Sequence, residues 1–570
     1  MHNSTRVVVA ILTVAAMLPL NAQDKPADLP TFRSTTRLVQ VNVVVQGKGR
    51  QPVTDLKKTD FIVTEKGKPQ AVSFFGMVRS DGGTGSRKPA PKLPQNLFSN
   101  RFGDRSDVPP NVTVILLDSL NTSWQDQHYG REGVMKFLKQ IKPEDRVALY
   151  SLGQGLRILH DYTSDASALV ERLNKWTGQN LPQLEASTVN MDDPLISALA
   201  DQPGALEGEI RMANFMTRNR VVNTLHALES IAEHLASVPG RKSLIWVSGG
   251  FPLMIGFDDM GTADSSGASA AMQDRETFFD EIERTLRALN HADVAVYPVD
   301  ARGLMTDPMF SAQTRGAPRP GARSFTPKNL DTMETLADRT GGKAYYNRND
   351  LDGAIREVFN DTSVTYTLGY YSANPETDGK FREIKVKVNR PGLNVRYRKG
   401  YFAFADMKAN DEKAIKSEIA NAVWSPLDAT AVAVNARVDR MKDGNVVSIY
   451  VQIDPTSTTL NQDGDRWKGR LDLAFVFKDQ EAKQLGGSGD TVEMNLSKEN
   501  YMKSLKQGIV YHRALAVPPK ARSLRIVVRD APSGMSGSLT VPMSQVALYV
   551  PPVKPATPAA TPPAPPAPEK

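Results

Sequence analysis

The stretch Val112–Thr122, "VTVILLDSLNT", is an unbroken apolar run that ends in an aspartate and a polar turn. Apolar residues without polar alternation suit a strand covered on both faces, as in the parallel sheet of an α/β domain. Asp118 then falls at the carboxyl end of that strand, the edge where such sheets bind their ligands.

Working outward, residues 111–361 alternate strand and helix signals. "RVALYSL" (146–152), "LRILH" (156–160), "SLIWV" (243–247), "VAVYPV" (294–299) and "KAYY" (343–346) read as further strands. Between them, apolar stripes at helical spacing predict helices: Val134, Phe137 and Leu138, then Leu169 and Leu173 after Ser164. Val221, Leu225 and Leu228 mark a long helix, Phe278, Ile282 and Leu286 another, and Leu351, Ile355 and Val358 the last, capped by Asp350. "LADRTGG" (336–342) closes a helix on glycines. Six strands alternating with six helices predict a doubly wound, Rossmann-like α/β sheet.

The flanks are all-β. Residues 31–80 hold short alternating runs with turns at Gly47, Gly49 and Pro52, and residues 362–403 hold "VTYTLGYY", "FREIKVKV" and "NVRYRKGYFAF". Each has roughly three strands, too few to stand alone, so the two are expected to form one sandwich with the α/β domain inserted. Residues 81–110 read as a linker and 404–423 as a helical linker. Residues 424–550 carry about seven strands in an Ig-like sandwich pattern, and 551–570 form a Pro/Ala-rich tail.

Composition narrows the function classes. At 570 residues the chain exceeds one core, and its 40% hydrophobic and 23% charged content is that of globular domains. Residues 1–22 read as a secretory signal, with Arg6, an apolar stretch from Val7 to Leu20 and a small-residue site at Ala22. That stretch is shorter than the ~20 apolar residues of a spanning helix, and no later segment is long enough, so the expectation is an exported chain, periplasmic or secreted, without a membrane span. With no cysteine, disulfides, thiolate metal sites and cysteine nucleophiles are excluded. A net charge of +7 is mild for this length and gives no footing for nucleic-acid binding. His-Glu-x-x-His, Gly-x-Ser-x-Gly and the phosphate-cradling Gly-x-x-x-x-Gly-Lys-Ser/Thr are missing. His128, His160, His226 and His291 are scattered, and "NQDGDRW" (461–467) lacks the later acidic ligand of a calcium loop and reads as a β-turn. No enzyme is indicated.

Several motifs in order carry a resemblance: "QPVTDLKKTDFIVTEKGKPQ", "ILLDSLNT", "GRKSLIWVSGGFP", "VAVYPVDARGL", "LADRTGGKAYY" and "YTLGYYS". Residues 111–361 resemble a von Willebrand factor type A domain, and 31–403 the type A-related exported proteins abundant in acidobacteria. The resemblance implies a metal-ion-dependent adhesion site for Mg²⁺ or Mn²⁺, with an Asp-x-Ser-x-Ser loop, a threonine from a second loop and an aspartate from a third. Here Asp118 and Thr122 match, but Leu120 stands at a ligating hydroxyl and Ser248 at the third-loop aspartate. Thr188, Thr217 and Thr224 all remain open for the second loop. A degenerate site would draw on Asp118, Asn121, Thr122, Ser248 and Asp300; alternatively Asp118 and Asp300 cap loops or pair with Arg302.

Three long loops, 177–212, 251–273 and 301–328, leave the same edge, and loops beyond ~12–15 residues are usually functional or disordered. The third carries Arg302, Arg315, Arg319 and Arg323, which suit a carboxylate-bearing protein or cell-surface partner. The leading expectation is a non-enzymatic protein-binding module. Behind it stand a structural or assembly component of the bacterial envelope, and a hydrolase using Asp118 and Asp300.

Overall fold

The structure, a computed structural model, describes residues 38–79, 93–101, 112–142, 145–187, 205–251, 281–304, 328–372, 380–403, 412–442 and 444–549. The readings of residues 1–22 and 551–570, of Phe278 and Thr188, and of Arg315, Arg319 and Arg323 lie outside these residues.

A five-stranded sheet organises the α/β part, in the order Val294–Asp300, Lys242–Ser248, Thr113–Asp118, Val147–Leu152, Leu156–Thr163. The first four strands are parallel, and every residue in them is buried. On one face pack the helices Trp124–Leu138, Ala166–Lys175 and Leu351–Thr362, through Val134, Phe137, Leu169, Leu173, Ile355 and Val358. On the other lie Ala205–Leu235, the helix 281–291 and Lys328–Thr340, through Val221, Leu225, Leu228, Leu286 and Leu336. Both faces of the sheet are dry, as the unbroken apolar runs require.

Two details depart from six alternating strands. Leu156–Thr163 runs antiparallel to its neighbour, because residues 153–155 form a hairpin too short for a parallel crossover. "KAYY" is not a strand: it contributes one bridge, Val299 to Tyr345, at the sheet edge. The second of the helices begins after Asp165, whose side chain accepts from the N–H groups of Ser167 and Ala168, rather than at Ser164. Asp350 stands at the N-cap position of Leu351–Thr362 without a capping bond; its carboxylate is held by Arg348 instead.

Strands from both sides of the α/β part pair with one another. Leu38–Gln46 and Val72–Arg79 flank Val364–Tyr371, while Phe61–Glu65 pairs with Phe381–Val388. Two four-stranded sheets thereby enclose Val41, Val43, Phe61, Val63, Tyr366, Leu368 and Ile384. In Phe381–Val388, Ile384 and Val386 point inward and Lys385 and Lys387 into solvent.

The C-terminal part is a second pair of sheets. Val434–Arg440 lies between Val446–Ile453 and Leu97–Ser99, so residues expected to be pure linker supply an edge strand. Its facing sheet is built on Arg466–Lys478, Gln484–Ser497, Ser523–Asp530 and Ser536–Pro542. Asp463, Gly464 and Asp465 form the turn of a short hairpin, with Lys468 on the Asp463 carboxylate. This part is fastened to the α/β part where the Thr430 N–H donates to Glu233 O (2.8 Å) and the Ser237 N–H to Thr430 Oγ1 (2.9 Å).

Candidate functional site

Asp118 ends the central strand with 2% of its surface exposed, so its carboxylate has to find donors inside the protein. It finds five. Oδ1 accepts from the N–H of Leu120 (3.0 Å) and of Asn121 (3.1 Å), the aspartate turn that shapes the loop. Oδ2 accepts from Asn121 Nδ2 (2.8 Å), Trp246 Nε1 (2.9 Å) and Ser248 Oγ (2.7 Å). Trp246 and Ser248 are two residues apart on one strand, hence on one face of it. Burial pushes the Asp118 carboxyl above the usual range, while Asn121, Ser248 and Trp246 pull it back.

The rest of the loop is locked in turn. Asn121 Nδ2 also donates to Thr224 Oγ1 (2.7 Å), which singles out Thr224 from the three threonines considered; Thr217 donates to Ala213 O within its own helix. Arg220 Nη1 donates to Asn121 Oδ1 (2.9 Å), and this fixes the amide orientation, since a turned amide would set donor against donor. Thr122 Oγ1 accepts from the Gly249 N–H (3.0 Å). A side chain at Gly249 would put its Cβ 2.6 Å from Asn121 O, so glycine is what lets the two loops touch. Leu120, at the expected hydroxyl position, is buried in the apolar layer with Leu225 and Trp246.

Asp118, Asn121, Thr122 and Ser248 are therefore brought together, and Asp300 is not. Asp300 ends a strand separated from Thr113–Asp118 by Lys242–Ser248, two strand spacings or ~10 Å away. Its carboxylate is gripped by Arg302, with Nε to Oδ1 and Nη2 to Oδ2 both at 2.9 Å. Arg302 is committed to this pair rather than presented to a partner. The two aspartates are held by separate sets of partners.

A divalent cation would need oxygen lone pairs aimed at a common point. A carboxylate offers about four lone-pair positions, and five donors already occupy those of Asp118. Asn121 Oδ1 faces a guanidinium, Thr122 Oγ1 a backbone N–H, and Leu120 has no ligating atom. The residues present do not fit Mg²⁺ or Mn²⁺, and among the described residues no group of three His, Asp or Glu side chains is arranged for a metal.

Two members of the network, Arg220 and Trp246, were absent from the sequence-based site. Helical spacing sets Arg220 and Thr224 on one face of the long helix, and strand alternation sets Trp246 beside Ser248; these were the available signals.

No protein-family model matches the chain, and no curated protein does. Among solved structures it is similar to an aerotolerance-related membrane protein from Bacteroides fragilis, at 14% identity and a TM-score of 0.20, covering 44% of this chain and 99% of that one. It is also similar to BatB from Bacteroides thetaiotaomicron (12%, TM-score 0.21, covering 44% and 98%) and to the SpRpn10 VWA domain (9%, TM-score 0.21, covering 44% and 95%). Scores of that size carry no argument; in its sheet order and in the loop after its central strand the α/β part resembles a von Willebrand A domain.

Proposed function

We propose that this chain is an exported, non-enzymatic protein-binding module that engages its partner at the C-terminal edge of the von Willebrand A-like sheet. The observation that carries the reading is a rigid edge beside exposed apolar side chains. Trp124, directly after the locked loop, is 52% exposed, and Leu304, four residues past Asp300, is 56% exposed. Large side chains standing in water on a fixed frame are what a protein partner buries at the centre of an interface. They sit around the same helix: Gly303 approaches Tyr129 of Trp124–Leu138, and both Leu304 N–H and Tyr129 Oη bond to Asn349. Arg315, Arg319 and Arg323 belong to the proposal as contacts to a carboxylate-bearing protein or cell-surface ligand.

No step of catalysis is assigned. Among the described residues no helix is long and apolar enough to cross a membrane. Export through residues 1–22 belongs to the proposal, and an exported chain beginning at Gln23 is the expected form.

A second reading, a structural component of the bacterial envelope, draws on the bonds that tie Glu233 and Ser237 to Thr430. On that reading the C-terminal sheets make the contacts. A photo-crosslinking residue at position 124, 304 or 467, in the native host, separates the two. Crosslinks at 124 and 304 support the edge; crosslinks confined to 467 support the second reading and overturn the first.

A further inference from the structure

Arg220 sits on the helix Ala205–Leu235 with only 6% of its surface exposed. A buried guanidinium has to be satisfied and electrically balanced. Its Nη1 donates to Asn121 Oδ1 (2.9 Å) and its Nε to Ser187 Oγ (2.9 Å). Asn121 in turn donates to Asp118 Oδ2 (2.8 Å). One amide thus accepts from a cation and donates to an anion, and each end polarises the other. Burial lowers the Arg220 pKa to about 10, against the pull of Asp118, so the side chain stays charged at neutral pH.

We propose that Arg220 is a built-in substitute for the divalent cation of this fold: its guanidinium supplies from within the chain the charge that balances Asp118, and the site assembles without metal. Charge balance argues for it. Where the resemblance implies a divalent ion facing two aspartates, this chain has Ser248 in place of the second aspartate, leaving one carboxylate for one guanidinium. Saturation argues for it as well, because no lone pair of Asp118 is left to be claimed. Geometry argues a third time. Thr224, one turn beyond Arg220, binds the same amide, so a single helix face supplies both the hydroxyl and the cation.

The substitution has a consequence for recognition. A partner carboxylate cannot complete a metal's coordination sphere here, so binding at this edge is insensitive to chelators. The assignment of Arg220 itself does not depend on where the partner binds, because its test reads the free protein.

The test is a double-mutant cycle on the full chain, read by thermal unfolding with Arg220→Ala, Asp118→Asn and the double variant. Each single variant is expected to melt lower than wild type, and the double variant to lose less than the sum, since each single variant strands a charge or a donor that the double removes. Millimolar methylguanidinium is expected to raise the melt of Arg220→Ala and to leave wild type unchanged. Additive losses with no rescue overturn the assignment. Should Arg220→Ala fail to fold, Arg220→Lys and Arg220→Gln carry the comparison: the lysine variant, which keeps the charge, is to lie nearer wild type, and the reverse order overturns it.

Discussion

One helix, Ala205–Leu235, carries two charged clusters, one buried and one half-buried, about 13 Å apart along its axis between Arg220 and Glu229. At the first, a single carboxylate meets donors on every side and a guanidinium behind Asn121. At the second, carboxyls outnumber cations. Arg284 stands 3.6 Å from each of Glu229, Glu281 and Glu418, and Glu233 adds a further half-buried acid. Glu418 belongs to the C-terminal part, where Arg529 Nε holds it at 2.6 Å. Balanced charge makes the first cluster a fixed frame; surplus acid makes the second answer to protons. Burial, ahead of repulsion from Glu418 and Glu281, raises the Glu229 pKa to about 7.

The largest effect should come from breaking the balanced cluster. Asp118→Ala strands the donors of Trp246, Ser248 and Asn121 and leaves Arg220 without its counter-charge, a loss of about 3–5 kcal/mol in denaturant unfolding.

Next is the pH response of the second cluster. The folded chain keeps the Glu229 proton to about pH 7, whereas the unfolded chain releases it near the ordinary value of 4.5. Between those values the folded state binds more protons, so stability falls as pH rises through that window. At ~1.4 kcal/mol per pKa unit the fall is a few kcal/mol. The groups facing Glu229 are Glu233 and His226 on its own helix, Glu281, Arg284 and Arg287 on the next, and Glu418 from the C-terminal part. Burial lowers the His226 pKa to about 4, which contributes in the opposite sense below pH 6.5, so the readout is the difference: across ~pH 4.5 to 8 wild type should lose more stability, or gain less, than Glu229→Gln.

Smaller again is Ser248→Ala, which removes one of the donors to Asp118 and the acceptor of the Gly250 N–H. Its expected loss is about 1–2 kcal/mol by urea titration. Of similar size is Arg302→Ala. The Asp300 carboxylate it pairs with is 3% exposed and keeps the Arg302 backbone N–H, so losing the guanidinium leaves a buried charge short of donors and costs about 1–3 kcal/mol in the same titration.

What could be read beforehand was whatever is local along the chain. Val112 to Leu117 announce a strand buried on both faces because six successive residues leave no room for a wet side. Asp118, Asn121 and Thr122 are within five residues of one another, and Ser248 is placed by the next strand's end. Arg220 was missed because its contact with Asn121 spans 99 positions and its helix reads, residue by residue, as an ordinary amphipathic one. Trp246 looked like core and is core; only the fold reveals that its indole N–H points at a carboxylate. Leu97–Ser99 is too short for any periodicity to show, and its pairing with residues 435–437 is a tertiary event. The half-buried acids Glu229 and Glu233 read as a polar face because nothing local reports that the C-terminal part packs beside them.

The most direct test of the central claim is calorimetric unfolding of the full chain in EDTA and in millimolar Mg²⁺ or Mn²⁺, beside Asp118→Asn. A cation at a hundred times its dissociation constant would stabilise the protein by ~2.7 kcal/mol. Wild-type melts with and without metal are expected to superimpose. A wild-type melt raised by metal and unmoved in Asp118→Asn would contradict that claim.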